Sequence, residues 1–379
     1  MPRPVHAVVI FALLAAAAHA QPLPKLPVEH YQLPNGLQVI LYRNSKIPVV
    51  HLNLRFRIGS RNERPGRHGF AHLFEHLMFD VADAADATRN FQSMVEEIGA
   101  TGVNAFTYDD YTEYFEAVPS SRLERMLWLE SNRWRTPPEA ISQATFDKER
   151  EVVRNELREK VENVPYHRIN LPLYEYSFPE GHPYAHHRIG SHEDLLAASL
   201  DDVRAFYRDY YNPDNLSIVL AGDFDPAQAK AWIAKYLGSL PPGPNGMISP
   251  VHSAPQLREP KLVEIREHAP TETIFFARPA AGIYTPENIA LEIAAFVLTD
   301  DASQWNSVLR GSASTSIGIQ QMQMQDASIF LAISEPASGK NLTDVEKVLG
   351  DGLARFAREG PSGEELARAR NNLDRKSVV

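Results

Sequence analysis

Two histidines four residues apart, with a glutamate beside the second, stand in the run His72-Leu73-Phe74-Glu75-His76. On a helix, positions i and i+4 share a face and i+3 lies next to them. Two neutral imidazoles at that spacing can grip one Zn²⁺, and the carboxylate between them can take a proton from water held there. The order H-x-x-E-H inverts the H-E-x-x-H of the commoner zinc peptidases. A short helix whose His and Glu simply face solvent would show the same letters by chance.

The surrounding residues favour the chemical reading. From His68 to Asp80, Phe70, Ala71, Leu73, Phe74, Leu77, Met78 and Phe79 are apolar, while His68, His72, Glu75 and His76 fall at i, i+4, i+7 and i+8. That pattern predicts a buried helix with one narrow polar stripe. Buried imidazoles and carboxylates are costly unless paired or bound to metal. A catalytic zinc also needs a third protein ligand and an open position. Asp147 to Glu159, free of Gly and Pro, reads as a helix on which Glu149 and Glu156 share a face two turns apart. Its other charges read as a solvated, salt-bridged surface.

At these residues the chain resembles the M16 family of zinc peptidases (insulinase, pitrilysin, mitochondrial processing peptidase). In that family H-x-x-E-H is followed, after roughly 75 to 80 residues, by a liganding Glu that comes seven residues after a supporting Glu. The resemblance implies Zn²⁺ held by His72, His76 and Glu156, with Glu75 as the base and Glu149 as a catalytic-site partner that orients a ligand. Further likenesses are Phe91 to Gly99, Gly102 to Thr107, His182-Pro183-Tyr184, Tyr210 to Pro213 and Asn215 to Gly222. The resemblance assigns substrate contact to Asn104, Ala105 and Phe106, along which an extended peptide would add a strand. From the residues alone that stretch is only a strand.

The 379 residues suffice for two domains, and 44% hydrophobic with 23% charged is ordinary globular material. The formal charge of −10 and the lack of a long basic run exclude nucleic acid as an expected partner. Arg3, the apolar run Val5 to Ala18 broken only by His6, and Ala18-His19-Ala20 form a secretory signal over residues 1–20. Its core is shorter than a membrane span needs, so no stable span is expected after cleavage. The mature chain is expected to start at Gln21 and to reach the periplasm or be secreted. With no Cys there are no disulfides and no lipidated Cys at the cleavage site.

The fold class is α+β. Turn and strand signals run from Leu33 to Tyr42, Val49 to Ile58, Val103 to Thr107 and Thr112 to Val118, with helices at Phe91 and over Ser121 to Arg133. The family likeness implies tandem M16-type (LuxS/metallopeptidase-like) domains, each an antiparallel sheet with helices on one face. Residues 29–240 would form the catalytic domain. Residues 241–261, holding six Pro between Leu240 and Pro260, read as a linker. Residues 262–379 would form a second, incomplete M16-like domain, opening with a strand-like run near Leu262. Thr285-Pro286 then starts a helix, Ser328 to Ser334 is a strand and Asp344 to Arg358 a helix. The helix pattern after Glu364 stops at Leu373, and residues 374–379 read as an artificial end. No internal repeat is visible.

Other features carry less. His182 and His186 have helical spacing, but Gly181 and Pro183 argue against a helix there. His192-Glu193 lacks a second His, and Gly311 and Gly318 make no phosphate loop. Trp128 and Trp134 read as packing.

The expected function is that of a zinc endopeptidase that cuts peptides or unfolded segments, with water at the metal activated by Glu75. The expected partners are that substrate and a second M16 half, in the same longer chain or as a dimer partner. Two other classes remain open: a non-catalytic M16-like scaffold, and a zinc amidase acting on cell-wall peptides.

Overall fold

The computed structural model describes residues 26–81, 89–136, 141–243, 252, 254–255 and 261–376. The signal segment, the Gln21 start, most of the Pro-rich linker and the last three residues lie outside them.

The first half is built on β1 (Val28–Gln32), β2 (Gln38–Arg43), β3 (Val49–Phe56), β4 (Thr101–Thr107), β5 (Thr112–Pro119) and β6 (Leu216–Gly222). They form one sheet in the order β1-β2-β6-β3-β5-β4, antiparallel except for the parallel β2–β6 pair. Val50, Leu52, Leu54 and Phe56 of β3 alternate with half-buried or exposed residues. One face is thus committed to the core, as a period of two requires. The core side carries α1 (Phe70–Leu77), α2 (Phe91–Glu97) and α3 (Leu123–Arg135). Next in the chain come α4 (Gln143–Leu157), α5 (Asn170–Ser177), α6 (His192–Ala197), α7 (Leu200–Tyr210) and α8 (Pro226–Tyr236). Phe56, Phe74, Trp134 and Tyr211 pack ring on ring between these layers, with Phe74 and Tyr211 centroids 4.1 Å apart.

The second half has β7 (Ile274–Ala281), α9 (Pro286–Thr299), α10 (Gln304–Arg310), β8 (Ser314–Met322), β9 (Ala327–Pro336), α11 (Leu342–Glu359) and α12 (Gly363–Lys376). Its sheet runs β7-β9-β8, all antiparallel. The chain order β7-α9-α10-β8-β9-α11 repeats β3-α1-α2-β4-β5-α3, and the strand order matches as well. The repeat is one of topology alone. In the chain order α9 takes the place of α1, and its sequence PENIALEIAAFVLT holds no histidine.

Three expectations need correction, and one strand has no counterpart among them. The segment before Leu33 is a strand, β1, pairing Val28 to Gln32 with β2. The motif helix is only eight residues long, because Gly69 and Met78 close it. The run near Leu262 is not a strand; residues 261–273 have no regular structure and β7 begins at Ile274. The last helix runs on to Lys376.

The halves meet in two ways. Leu173, Tyr174, Phe178 and Tyr184 pack against Met324 of the β8–β9 connection and Ala327, Ile329 and Leu331 of β9. Beside them the buried Arg61 guanidinium pairs with Asp110 at 2.9 Å and Asp326 at 2.6 Å, and donates to Tyr184 Oη at 3.0 Å. Asp110 also accepts the Gln325 N–H at 2.7 Å.

Candidate metal centre

α1 begins without a side-chain cap, since Gly69 is its N-cap. Glu63 supplies the missing acceptors from outside the helix: its two oxygens take the N–H groups of Gly69 (2.9 Å) and Ala71 (2.7 Å). Asp194 takes the N–H of His68 at 3.0 Å. Gly69 sits at φ +93°, and a Cβ there would lie 2.8 Å from the Ile189 carbonyl. The start of the helix is therefore pinned in place against the 189–190 turn. Leu73, Phe74 and Leu77 are fully buried and fix its rotation, so His72, Glu75 and His76 point to the other side.

α4 starts at the Ser142 cap, whose hydroxyl accepts the Thr145 N–H. Phe146, Glu149, Val153 and Leu157 form its buried stripe. Glu149 and Glu156 thereby face α1 together. Immediately after Leu157 the helix widens into a π-type turn over Arg158–Glu162, a distortion common at functional sites.

Five side chains converge. His72 Nε2 lies 3.6 Å and His76 Nε2 3.3 Å from the same oxygen, Glu156 Oε2. The two imidazoles stand edge to face at 4.8 Å. His76 Nδ1 is 3.3 Å from Glu149 Oε2, so the ring is held between two carboxylates. Lys148 pairs with the other oxygen of Glu149 at 3.0 Å, and Lys160 with the other oxygen of Glu156 at 2.6 Å. His72 Nδ1 is buried without a partner among the described residues. Ligand atoms of His72, Glu75 and His76 also come within 4.8 Å of one another. Glu75 is buried, and its Oε2 accepts the Thr107 hydroxyl at 2.5 Å.

Electrostatics separate the five groups. Burial and the neighbouring His76 pull His72 down to about 3, so it is neutral. Burial also works against His76, but Glu149 and Glu156 outweigh it and hold the ring at about 9. Burial raises Glu156, yet His76, His72 and Lys160 bring it to about 2. Glu149 is held below the ordinary range by His76 and Lys148 despite its burial. Burial pushes Glu75 up to about 7, against the Thr107 hydrogen bond. One positive charge is thus drawn between two carboxylates on His76, and a cation suits that spot.

The donor set fits zinc. Tetrahedral bonds of ~2.0–2.2 Å set ligand atoms roughly 3.3–3.5 Å apart, and the Nε2–Oε2 separations are 3.3 and 3.6 Å. Two imidazoles and one carboxylate are also an ordinary ligand set for catalytic zinc.

Asn104, Ala105 and Phe106 lie on β4, the outer strand of the sheet, next to α1. Asn104 and Phe106 are exposed and Ala105 is buried; the Asn104 side chain accepts the Ala105 N–H at 2.9 Å. Among the described residues the hydrogen bond from β4 to this cluster comes from Thr107. Sequence reasoning assigned no role to Thr107, Lys148, Lys160 or Glu63. Lys160 had a signal, standing four residues after Glu156 on the same helical face. His186 stacks on His68 at 3.8 Å, and His182 on Phe178 at 4.7 Å. Trp134 is in the core and Trp128 is half-buried under Arg125.

Comparison with known proteins gives the same frame. Residues 38–178 match the family model described as insulinase (peptidase family M16), and residues 197–373 match the peptidase M16 inactive domain. The zinc protease PqqE of Helicobacter pylori is 28% identical over 341 residues, 86% of this chain and 73% of that protein. The chain spans about half or less of further curated relatives, also named zinc proteases. Among solved structures, a protease from Helicobacter pylori superposes with a TM-score of 0.82 at 24% identity, covering 93% of this chain and 85% of that one. The periplasmic protease PqqL from Escherichia coli superposes at 0.67 with 20% identity, and there 91% of this chain covers 39% of the larger protein. The two models follow one another along the chain, the first holding the histidine motif and the second starting within the first half and holding the histidine-free α9: the chain belongs to the M16 peptidase family.

Proposed function

We propose that this protein is a zinc-dependent endopeptidase acting on peptides and unfolded polypeptide segments. The observation that carries the reading is the approach of His72 Nε2 and His76 Nε2 to one oxygen of Glu156, at 3.6 and 3.3 Å, with the buried Glu75 beside them. His72, His76 and Glu156 would hold the metal. When bound, zinc would lower the pKa of water and polarise the scissile carbonyl. Glu75 accepts the proton of the attacking water and returns it to the departing amine. Glu149 takes the Nδ1–H of His76 and so turns Nε2 toward the site. The outer edge of β4 pairs with an extended substrate segment, with Asn104 and Phe106 exposed there to meet its side chains. A folded domain cannot present such a segment, which selects unfolded chains.

The test joins metal and ligand. Chelation should abolish cleavage of an unfolded polypeptide, and added zinc should restore it. Glu156→Gln should lower zinc affinity about 10- to 100-fold or more, while Glu159→Gln, at an exposed position past Leu157, should bind zinc as wild type does. Zinc retained by Glu156→Gln but lost by Glu159→Gln would move the third ligand by a turn. Full cleavage by metal-free protein would end the reading.

The leader-like residues 1–20 support a periplasmic or secreted location, as does the description of the PqqL structure as periplasmic. Among the described residues no helix is long and apolar enough to cross a membrane. N-terminal sequencing of exported protein should begin at Gln21; retention of Met1 would refute cleavage.

A further inference from the structure

β4 alternates: Asn104 and Phe106 are exposed, Ala105 and Thr107 buried. Thr107 closes the strand and turns its hydroxyl under α1 to donate to Glu75 Oε2. Its cross-strand partner is Thr112, whose own hydroxyl donates to the Ile58 carbonyl at 2.9 Å and lies 3.4 Å from Thr107 Oγ1. With the Thr112 proton committed to backbone, the Thr107 proton points at the carboxylate. Among the described residues Thr107 is the one side chain that donates to Glu75. A hydroxyl-to-carboxylate bond in a buried site is among the stronger neutral-to-charged contacts.

We infer that Thr107 is the positioning residue of the general base: it holds Oε2 of Glu75, leaves Oε1 to exchange the proton, and ties the base to the strand offered to substrate. The inference rests on the peptidase reading above. A merely structural threonine would cost stability when altered, with no separate effect on turnover.

Thr107→Val keeps the shape and removes the hydroxyl; Thr107→Ser keeps the hydroxyl. In zinc-loaded protein, Thr107→Val should lose about 10- to 100-fold in kcat, with KM and zinc content unchanged, and Thr107→Ser should recover most of it. A second readout needs no activity. In metal-free protein, Glu75→Ala, Thr107→Val and the pair together are unfolded in urea. The Thr107→Val change should shift the midpoint far less in the Glu75→Ala background than in wild type. Undiminished kcat in Thr107→Val, failure of Thr107→Ser to recover, or additive midpoint shifts would each overturn the inference. A wild-type protein without zinc-dependent cleavage would overturn the proposed function as well. Active wild type with an equally active Thr107→Val would overturn only the role of Thr107.

Discussion

Glu75→Gln is expected to lose cleavage by about 10²–10⁴-fold, the range for a positioned acid–base group, while keeping its zinc. Glu75 is 7% exposed and set beside the imidazole pair. Gln has almost the same shape, and its amide oxygen can still accept the Thr107 hydroxyl. What it cannot do is take a proton. The imidazoles of His72 and His76 keep their geometry, because Leu73, Phe74 and Leu77 hold the helix from the opposite side. Metal analysis beside a cleavage assay decides the matter. Loss of most of the zinc would make Glu75 a ligand and leave the assigned roles wrong.

The second large effect lies at the contact between the halves. Arg61→Met should destabilise the protein by about 3–5 kcal/mol, the usual result of breaking a buried ion pair from one side. The Arg61 side chain is 4% exposed and that of Asp326 3%. Its removal strands the carboxylates of Asp110 and Asp326 next to the Tyr184 hydroxyl. These groups join the β4–β5 turn to the turn before β9, so the contact between halves should loosen first. Adding Asp326→Asn should recover part of the loss, since one of the stranded charges disappears. Urea unfolding of the single and double variants measures both. A loss under about 1 kcal/mol would place this cluster among ion pairs that contribute little.

Much of the candidate centre was legible because the residues proposed as its ligands sit at helical spacings. His72, Glu75 and His76 are read within one turn, and Glu149 and Glu156 within two. The element positions of the first half follow from alternation in β3 and β5, which a half-buried sheet enforces. What escaped is what tertiary contact creates. Glu63 caps α1 from six and eight residues away along irregular chain, and no local pattern marks it. Thr107 could have been noticed, since it shares with Ala105 the inward parity of β4. β1 is an exposed edge strand whose residues lack a buried face, so period-two patterning fails there. The repeat of topology between the halves is silent in sequence because α1 and α9 meet their sheets with unrelated residues. The Arg61 cluster draws on positions 61, 110, 184 and 326, a combination only folding brings together.

α1 has eight residues, too few to persist as a helix in a free chain. The proposed third ligand, Glu156, comes from a different helix, and the two are neighbours only in the native fold. An unfolded chain therefore has no assembled nest for a metal. If the chain is exported in extended form, as proposed from its leader-like residues, it would travel empty and be loaded only after folding on the far side. Two imidazoles and a carboxylate bind copper more tightly than zinc at equal supply. The ion that ends up in the centre would then be chosen less by the donors than by which metals are abundant in the compartment where the chain first folds.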